Sequence, residues 1–161
     1  MLFRSIRPDG WPDYALKAAQ IHPTAIVTAK KTMFVRMNDT NTADFLDILE
    51  HCDGARVMDM VASHGGIDAL LDIWNCPDED ALKARIDPAH AGCIRCDVRN
   101  VTAVGLDIGR CTDIIRKMNQ AVSELGVGVI ALFTQPNAVT FVVTLDDVAA
   151  VSNVLHAFIT Q

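Results

Sequence analysis

Clustered positive charge is the first thing this 161-residue chain is short of. Its 14 Lys and Arg are outnumbered by 20 Asp and Glu, the formal charge is −6, and no basic run exceeds Lys30-Lys31. Nucleic acids and anionic membrane surfaces are held by grouped cations, so neither is expected as a partner. Long apolar runs are missing too. No stretch approaches the roughly 20 continuous apolar residues of a membrane-crossing helix. The opening Met1–Pro8 lacks the apolar segment of a secretory signal. The five cysteines, Cys52, Cys76, Cys93, Cys96 and Cys111, form an odd and irregular set, and a reduced, cytoplasmic setting is expected.

Catalytic equipment is equally sparse. Gly105, Gly109, Gly126 and Gly128 fit neither glycine-rich phosphate fingerprint. His22, His51, His64, His90 and His156 are dispersed, with no Ser–His–Asp order at a nucleophile turn. Cys93-x-x-Cys96 invites a zinc reading, but a zinc site needs further ligands at suitable spacing, and strand alternation turns these two thiols to opposite faces. Asp78-Glu79-Asp80 and Asp146-Asp147 read as solvated helix starts, where the helix dipole favours carboxylates. No metal, cofactor or catalytic residue is expected.

What is present is a core. Half of the residues are hydrophobic, enough to exclude disorder, and their periodicity repeats. After a short predicted helix over Asp13–Gln20, stopped by Pro23, Thr24–Ala29 reads as a strand. Then come the strand Met33–Met37, the polar turn Asn38–Thr42, and a helix capped by Thr42 with Phe45, Leu46, Ile48, Leu49 and Cys52 on one face. Gly54 closes that helix. Arg56–Ser63 and Ile67–Trp74 are strands about a Gly65-Gly66 turn, and Pro77–Asp80 opens a helix carrying Leu82 and Ile86. The second copy places strands at Ile94–Val98 and Val101–Ile108, and a helix from Thr112 to Gly126. Strands Val127–Phe133 and Ala138–Leu145 follow about Gln135-Pro136-Asn137, then a last helix with Val148, Val151, Leu155 and Phe158. The order β-α-β-β-α thus occurs twice, which predicts an α+β fold of two ferredoxin-like βαββα units with helices packed on antiparallel sheets.

Several stretches resemble the regulatory region of aspartokinases, which is built of tandem ACT units. Ala29-Lys-Lys-Thr-Met-Phe-Val-Arg-Met37 is similar to the strand opening that family's first unit, and Val57-Met-Asp-Met-Val-Ala-Ser-His64 to its S-V-D-L-I-x-T-S strand. Ile94–Gly109 resembles the strands opening the second unit, and Asn137–Val143 with Leu155–Ile159 its closing strand and helix. The resemblance covers about residues 24–160. It implies a linker over 1–23, a strand within 24–31 that completes the second unit, a first unit over 32–90 and a second over 91–161. It implies a non-catalytic module that binds a feedback amino acid such as lysine or threonine at an ACT interface and acts on an aspartokinase catalytic domain or subunit. The effector contacts it implies are Asn38, Asp39, Thr40 and Thr42 in the loop, with Asp59, Ser63 and His64 on the strand. Plain turn chemistry accounts for the loop equally well, and alternation could turn Asp59 either way. An ACT-type regulator of another amino-acid enzyme, or a small ferredoxin-like enzyme, stays open as an alternative. Open sheet edges predict a homodimer, with Val101–Ile108 and Val127–Phe133 near its interface.

Overall fold

The computed structural model describes residues 21–38 and 40–159, and side chains throughout these ranges other than those of 87–92. The helix expected over Asp13–Gln20 lies outside them. In chain order the elements are β1 (Ala25–Val27), β2 (Thr32–Asn38), α1 (Thr42–Glu50), β3 (Arg56–Ser63), β4 (Gly66–Asp72), α2 (Glu79–His90) and β5 (Ala91–Arg95). Then follow β6 (Val98–Val104), α3 (Thr112–Glu124), β7 (Ala131–Gln135), β8 (Ala138–Thr144) and α4 (Val148–His156). They form two four-stranded antiparallel sheets, β3-β4-β2-β5 and β1-β6-β8-β7. This is the expected tandem ferredoxin-like, ACT-type α+β architecture.

Alternation decides which face each sheet buries. From β2 and β4, Met33, Val35, Met37, Ile67, Ala69 and Leu71 meet Phe45 and Leu49 of α1 and Leu82 and Ile86 of α2. The second sheet repeats the arrangement, with Val101, Ala103, Val139, Phe141 and Val143 beneath Met118 and Val122 of α3 and Val151 and Leu155 of α4. The α3 stripe is spaced at three and four residues, as an amphipathic helix requires. Its first turn carries Asp113, whose carboxyl is held below its ordinary range by Lys117 and Arg116.

A third cluster joins the two units. Phe34 and Leu70, on the helix-free face of the first sheet, pack with Val98, Phe133 and Val142 on the helix-free face of the second. Beside it, the buried Thr32 hydroxyl donates to the Val98 carbonyl at 2.9 Å.

Some boundaries differ from the periodicity reading. The N-cap of α1 is Asn41, whose side chain accepts from the Asp44 N–H, and Thr42 is already helical. Leu46 stays exposed. The segment 127–130 packs its Val127 and Val129 against the second core; the Ile130 N–H donates to the Val142 carbonyl of β8 at 2.8 Å, and β7 itself starts at Ala131. The stretch read as a strand over Ile94–Val98 breaks at Cys96-Asp97, where the Arg95 guanidinium reaches the Asp97 carboxylate. The part before the break, β5, pairs with β2 in the first sheet rather than opening the second. Apolar alternation is the same whichever sheet a strand joins, so periodicity carries no sign of the change.

Phe141 is fully buried at the centre of the second core. Phe141→Ala is expected to lower unfolding stability by about 3–5 kcal/mol. Leu106→Ala, at a largely exposed side chain, should stay within about 0.5 kcal/mol. Urea titration followed by circular dichroism measures both.

Candidate functional site

The structure gathers part of the expected effector set at one end of the first sheet. Asn38, the last residue of β2, pairs with Gly66, which pairs in turn with Ser63 at the end of β3. Ser63 Oγ donates to the Gly66 carbonyl at 3.3 Å. Gly66 has φ +139°, and a Cβ there would lie 1.9 Å from the Met37 carbonyl oxygen, so only glycine lets these strands close up. The turn between β3 and β4 is His64-Gly65, one residue earlier than the Gly65-Gly66 pair suggested, and His64 is exposed on it rather than ending the strand.

Asn38, Ser63, Gly65 and Gly66, but not His64, border a groove of about 260 Å³ that also contains Arg36, Val61 and Asp68. Arg36 and Asp68 are opposite one another on β2 and β4 and meet bidentately, with Nε to Oδ1 and Nη2 to Oδ2 both at 2.8 Å. Asp68 raises the Arg36 pKa further above its ordinary value. The groove therefore sets a cation and a carboxylate side by side, with amide, hydroxyl and aliphatic groups around them. Neither charged residue was singled out from the sequence. The available signal was an Arg interrupting the apolar run Met33–Met37, matched by an Asp in Ile67–Leu71.

Thr40 and Thr42 do not line this groove. Thr40 is buried, and its hydroxyl donates to the Asn38 carbonyl at 3.1 Å, folding the loop back on itself. Thr42 is half-buried in the first turn of α1. Asp39 lies outside the described residues.

Asp59 lies elsewhere. Counting along β3 from Ser63, it sits four residues away, roughly 13 Å at ~3.3 Å per residue. The register shift between Val57 and Asp59 makes Met58 an extra residue and sets Asp59 opposite Leu70, on the helix-free face. There Asp59 is 8% exposed and accepts a hydrogen bond of 2.5 Å from Gln135 Nε2, at the tip of the β7–β8 hairpin. A carboxylate in an apolar strand needs a partner, and the second unit supplies it. Nothing local in Gln135-Pro136-Asn137 announces that role.

Among the described residues, no group of three His, Cys, Asp or Glu could hold a metal, and no helix is long and apolar enough to cross a membrane. Cys93 lies in β5 while Cys96 falls in the bend after it. Burial raises the pKa of the Cys96 thiol.

The Asp59–Gln135 bond is expected to couple the two units measurably. Because Gln135 is itself exposed, a coupling near the lower end for a hydrogen bond to a charged group, about 1.5 kcal/mol, is expected. A double-mutant cycle of Asp59→Ala and Gln135→Ala in urea unfolding measures it.

No protein-family model matches the sequence, and no curated protein matches it significantly. Solved structures do. The ligand-free regulatory subunit of aspartate kinase from Thermus thermophilus matches with TM-score 0.66 at 14% identity, over 85% of this chain and 97% of that one. E. coli aspartokinase III in complex with aspartate and ADP (R-state) matches with TM-score 0.69 at 13% identity, over 87% of this chain and 34% of that one. The same enzyme in complex with lysine and aspartate (T-state) gives TM-score 0.63 at 14% identity, over 87% and 34%. The chain thus spans nearly the whole of the regulatory subunit and about a third of the aspartokinase III chain. The fold of this protein is that of the regulatory portions of aspartate kinases.

Proposed function

We propose that this protein is an amino-acid-sensing regulatory domain or subunit of an aspartate kinase, binding a feedback amino acid such as lysine or threonine. The observation that carries the reading is the likeness of the tandem unit pair, as one arrangement, to nearly the full length of an aspartate kinase regulatory subunit. The aspartokinase III structure matched in its T-state is a complex with lysine and aspartate, so amino acids bind a protein that contains this fold.

The groove bordered by Asn38 and Ser63 is the effector site in this reading, with the adjoining Thr40, Thr42 and His64 at its approaches. A free amino acid carries a carboxylate and an ammonium a few ångströms apart. Arg36 and Asp68 present the opposite charges in the same order of size, and charge-assisted hydrogen bonds are the stronger kind. Asp59, held by Gln135, acts at the contact between units. An effector that binds one arrangement of the units better than another shifts that equilibrium by its differential affinity, and the attached kinase responds. The protein works in the cytoplasm as a homodimer. Its interface involves open strand edges, which among the described strands are β3 and β5 in the first sheet and β1 and β7 in the second. Val101–Val104 is not such an edge, because β6 has β1 on one side and β8 on the other. Edge pairing across a two-fold axis is a common way to cover open hydrogen bonds.

Calorimetric titration of lysine, threonine and methionine into the chain tests the sensing role, with binding of at least one expected. Arg36→Ala should weaken that binding about tenfold, or about 1.4 kcal/mol. Heat from none of the three overturns the sensing role. Unchanged affinity in Arg36→Ala moves the site away from the groove. The chain alone is expected not to phosphorylate aspartate, and light scattering at tens of micromolar is expected to give a dimer mass.

A further inference from the structure

A second cavity lies on the helix side of the first unit and shares no lining residue with the Asn38–Ser63 groove. It measures about 170 Å³ and is lined by two cysteines, Cys52 and Cys76, with His51, Asp78 and Arg85 around them. Cys52 follows α1, and its N–H donates to the Leu49 carbonyl at 3.0 Å. Cys76 precedes α2, and its thiol donates to the Asp78 carbonyl at 3.6 Å. Both are half-buried against the same hydrophobic core. Their backbones are brought together by the turn after Cys52. Gly54, at φ +82°, lies so close to the Asn75-Cys76 peptide that a Cβ would stand 2.0 Å from the Asn75 oxygen and 2.9 Å from the Cys76 nitrogen. The other three cysteines do not line this cavity.

We propose that Cys52 and Cys76 are a redox-active dithiol, closing to an intrachain disulfide by exchange with a small-molecule disulfide of the glutathione class. The environment orders the steps. Burial pushes the Cys52 thiol up, against the pull of the nearby Arg85 guanidinium, so Cys52 is the poorer first nucleophile. The Cys76 thiolate attacks one sulfur of glutathione disulfide, forming a mixed disulfide and releasing one glutathione thiolate. Cys52 then loses its proton and attacks the Cys76 sulfur, the Cys76–glutathione bond breaks, and a second glutathione thiolate leaves. Two protein thiols and one glutathione disulfide become one protein disulfide and two glutathiones, so the oxidant takes up both electrons and both protons. Arg85, whose Nη1 also donates to the His51 carbonyl at 3.0 Å, stands where it can stabilise the Cys52 thiolate as it forms. In a reducing compartment such a pair rests open and closes under oxidising conditions, as expected of a sensing rather than a structural disulfide. Closure ties the exit of α1 to the entry of α2.

The test equilibrates the full chain with reduced and oxidised glutathione at stepped ratios, then traps it with acid and alkylates it. Arg56 lies between the two cysteines, so trypsin separates them unless a disulfide holds the peptides together. Free thiols are expected to fall from five to three as two close the bond, with the Cys52 and Cys76 peptides linked and dithiothreitol reversing the change. Cys52→Ser is expected to accumulate a glutathione adduct on Cys76. Five free thiols at every ratio, a link between any other pair, or wild-type chains that stop at the mixed disulfide would overturn the proposal. The wild-type measurement decides this even where a serine variant fails to fold.

Discussion

Each sheet has two faces, and helices cover only one. The other must meet water or another apolar surface, and hydrophobic burial is the larger driving force available to it. Phe34 and Leu70 on one sheet, and Val98, Phe133 and Val142 on the other, satisfy this demand together. The seam they make turns two small ferredoxin-like units, each with a modest core of its own, into one molecule. It also explains why polar groups at its margin are so carefully matched. Thr32 bonds to the Val98 carbonyl, Asn100 accepts from the Ala29 N–H at 2.8 Å, and Asp59 finds Gln135. An orphaned polar group at any of these positions would be left in a place that water reaches poorly.

The groove and the cysteine pair lie on opposite faces of the first sheet. Arg36 and Asp68 share the helix-free face with Phe34 and Leu70, while Cys52 and Cys76 pack on the helix side, and α1 joins the two along the chain. Its N-terminal end grows out of the loop after Asn38, and its C-terminal end leads to Cys52. A ligand beside Asn38 and a covalent bond at Cys52 would act on the segments that enter and leave a single short helix. That helix has two fully or nearly buried anchors, Phe45 and Leu49. A helix held by so few contacts is the kind of element whose position a modest free energy can bias.

The fold was legible because its signals are local and repeated. Helical stripes such as Ile114, Ile115, Met118 and Val122, and hairpin turns such as Gln135-Pro136-Asn137, need no knowledge of distant partners. Strand membership was not legible. Ile94 reads as an apolar strand residue in either sheet, and only the tertiary pairing with Val35 assigns it. The candidate site divides the same way. Asn38 and Ser63 converge because a β-ladder joins the ends of their strands, which the alternating pattern already implied. Asp59 could not be placed, because a bulge at Met58 resets the alternation, and its partner Gln135 lies 76 residues further along the chain.

The chain passes between the two sheets by very short routes. From β5 to β6 only Cys96 and Asp97 intervene, and from β1 to β2 only residues 28–31. A two-residue link spans at most about 7 Å beyond its ends. The longer strap is pinned to β6 through the Ala29 N–H on Asn100 and the Ala29 carbonyl on Arg99. Two tethers this tight remove nearly all translational freedom between the units and leave rotation about an axis close to the straps. Any signal that crosses the molecule must be expressed as a change of angle, largest at the margin farthest from residues 96–97 and smallest beside them.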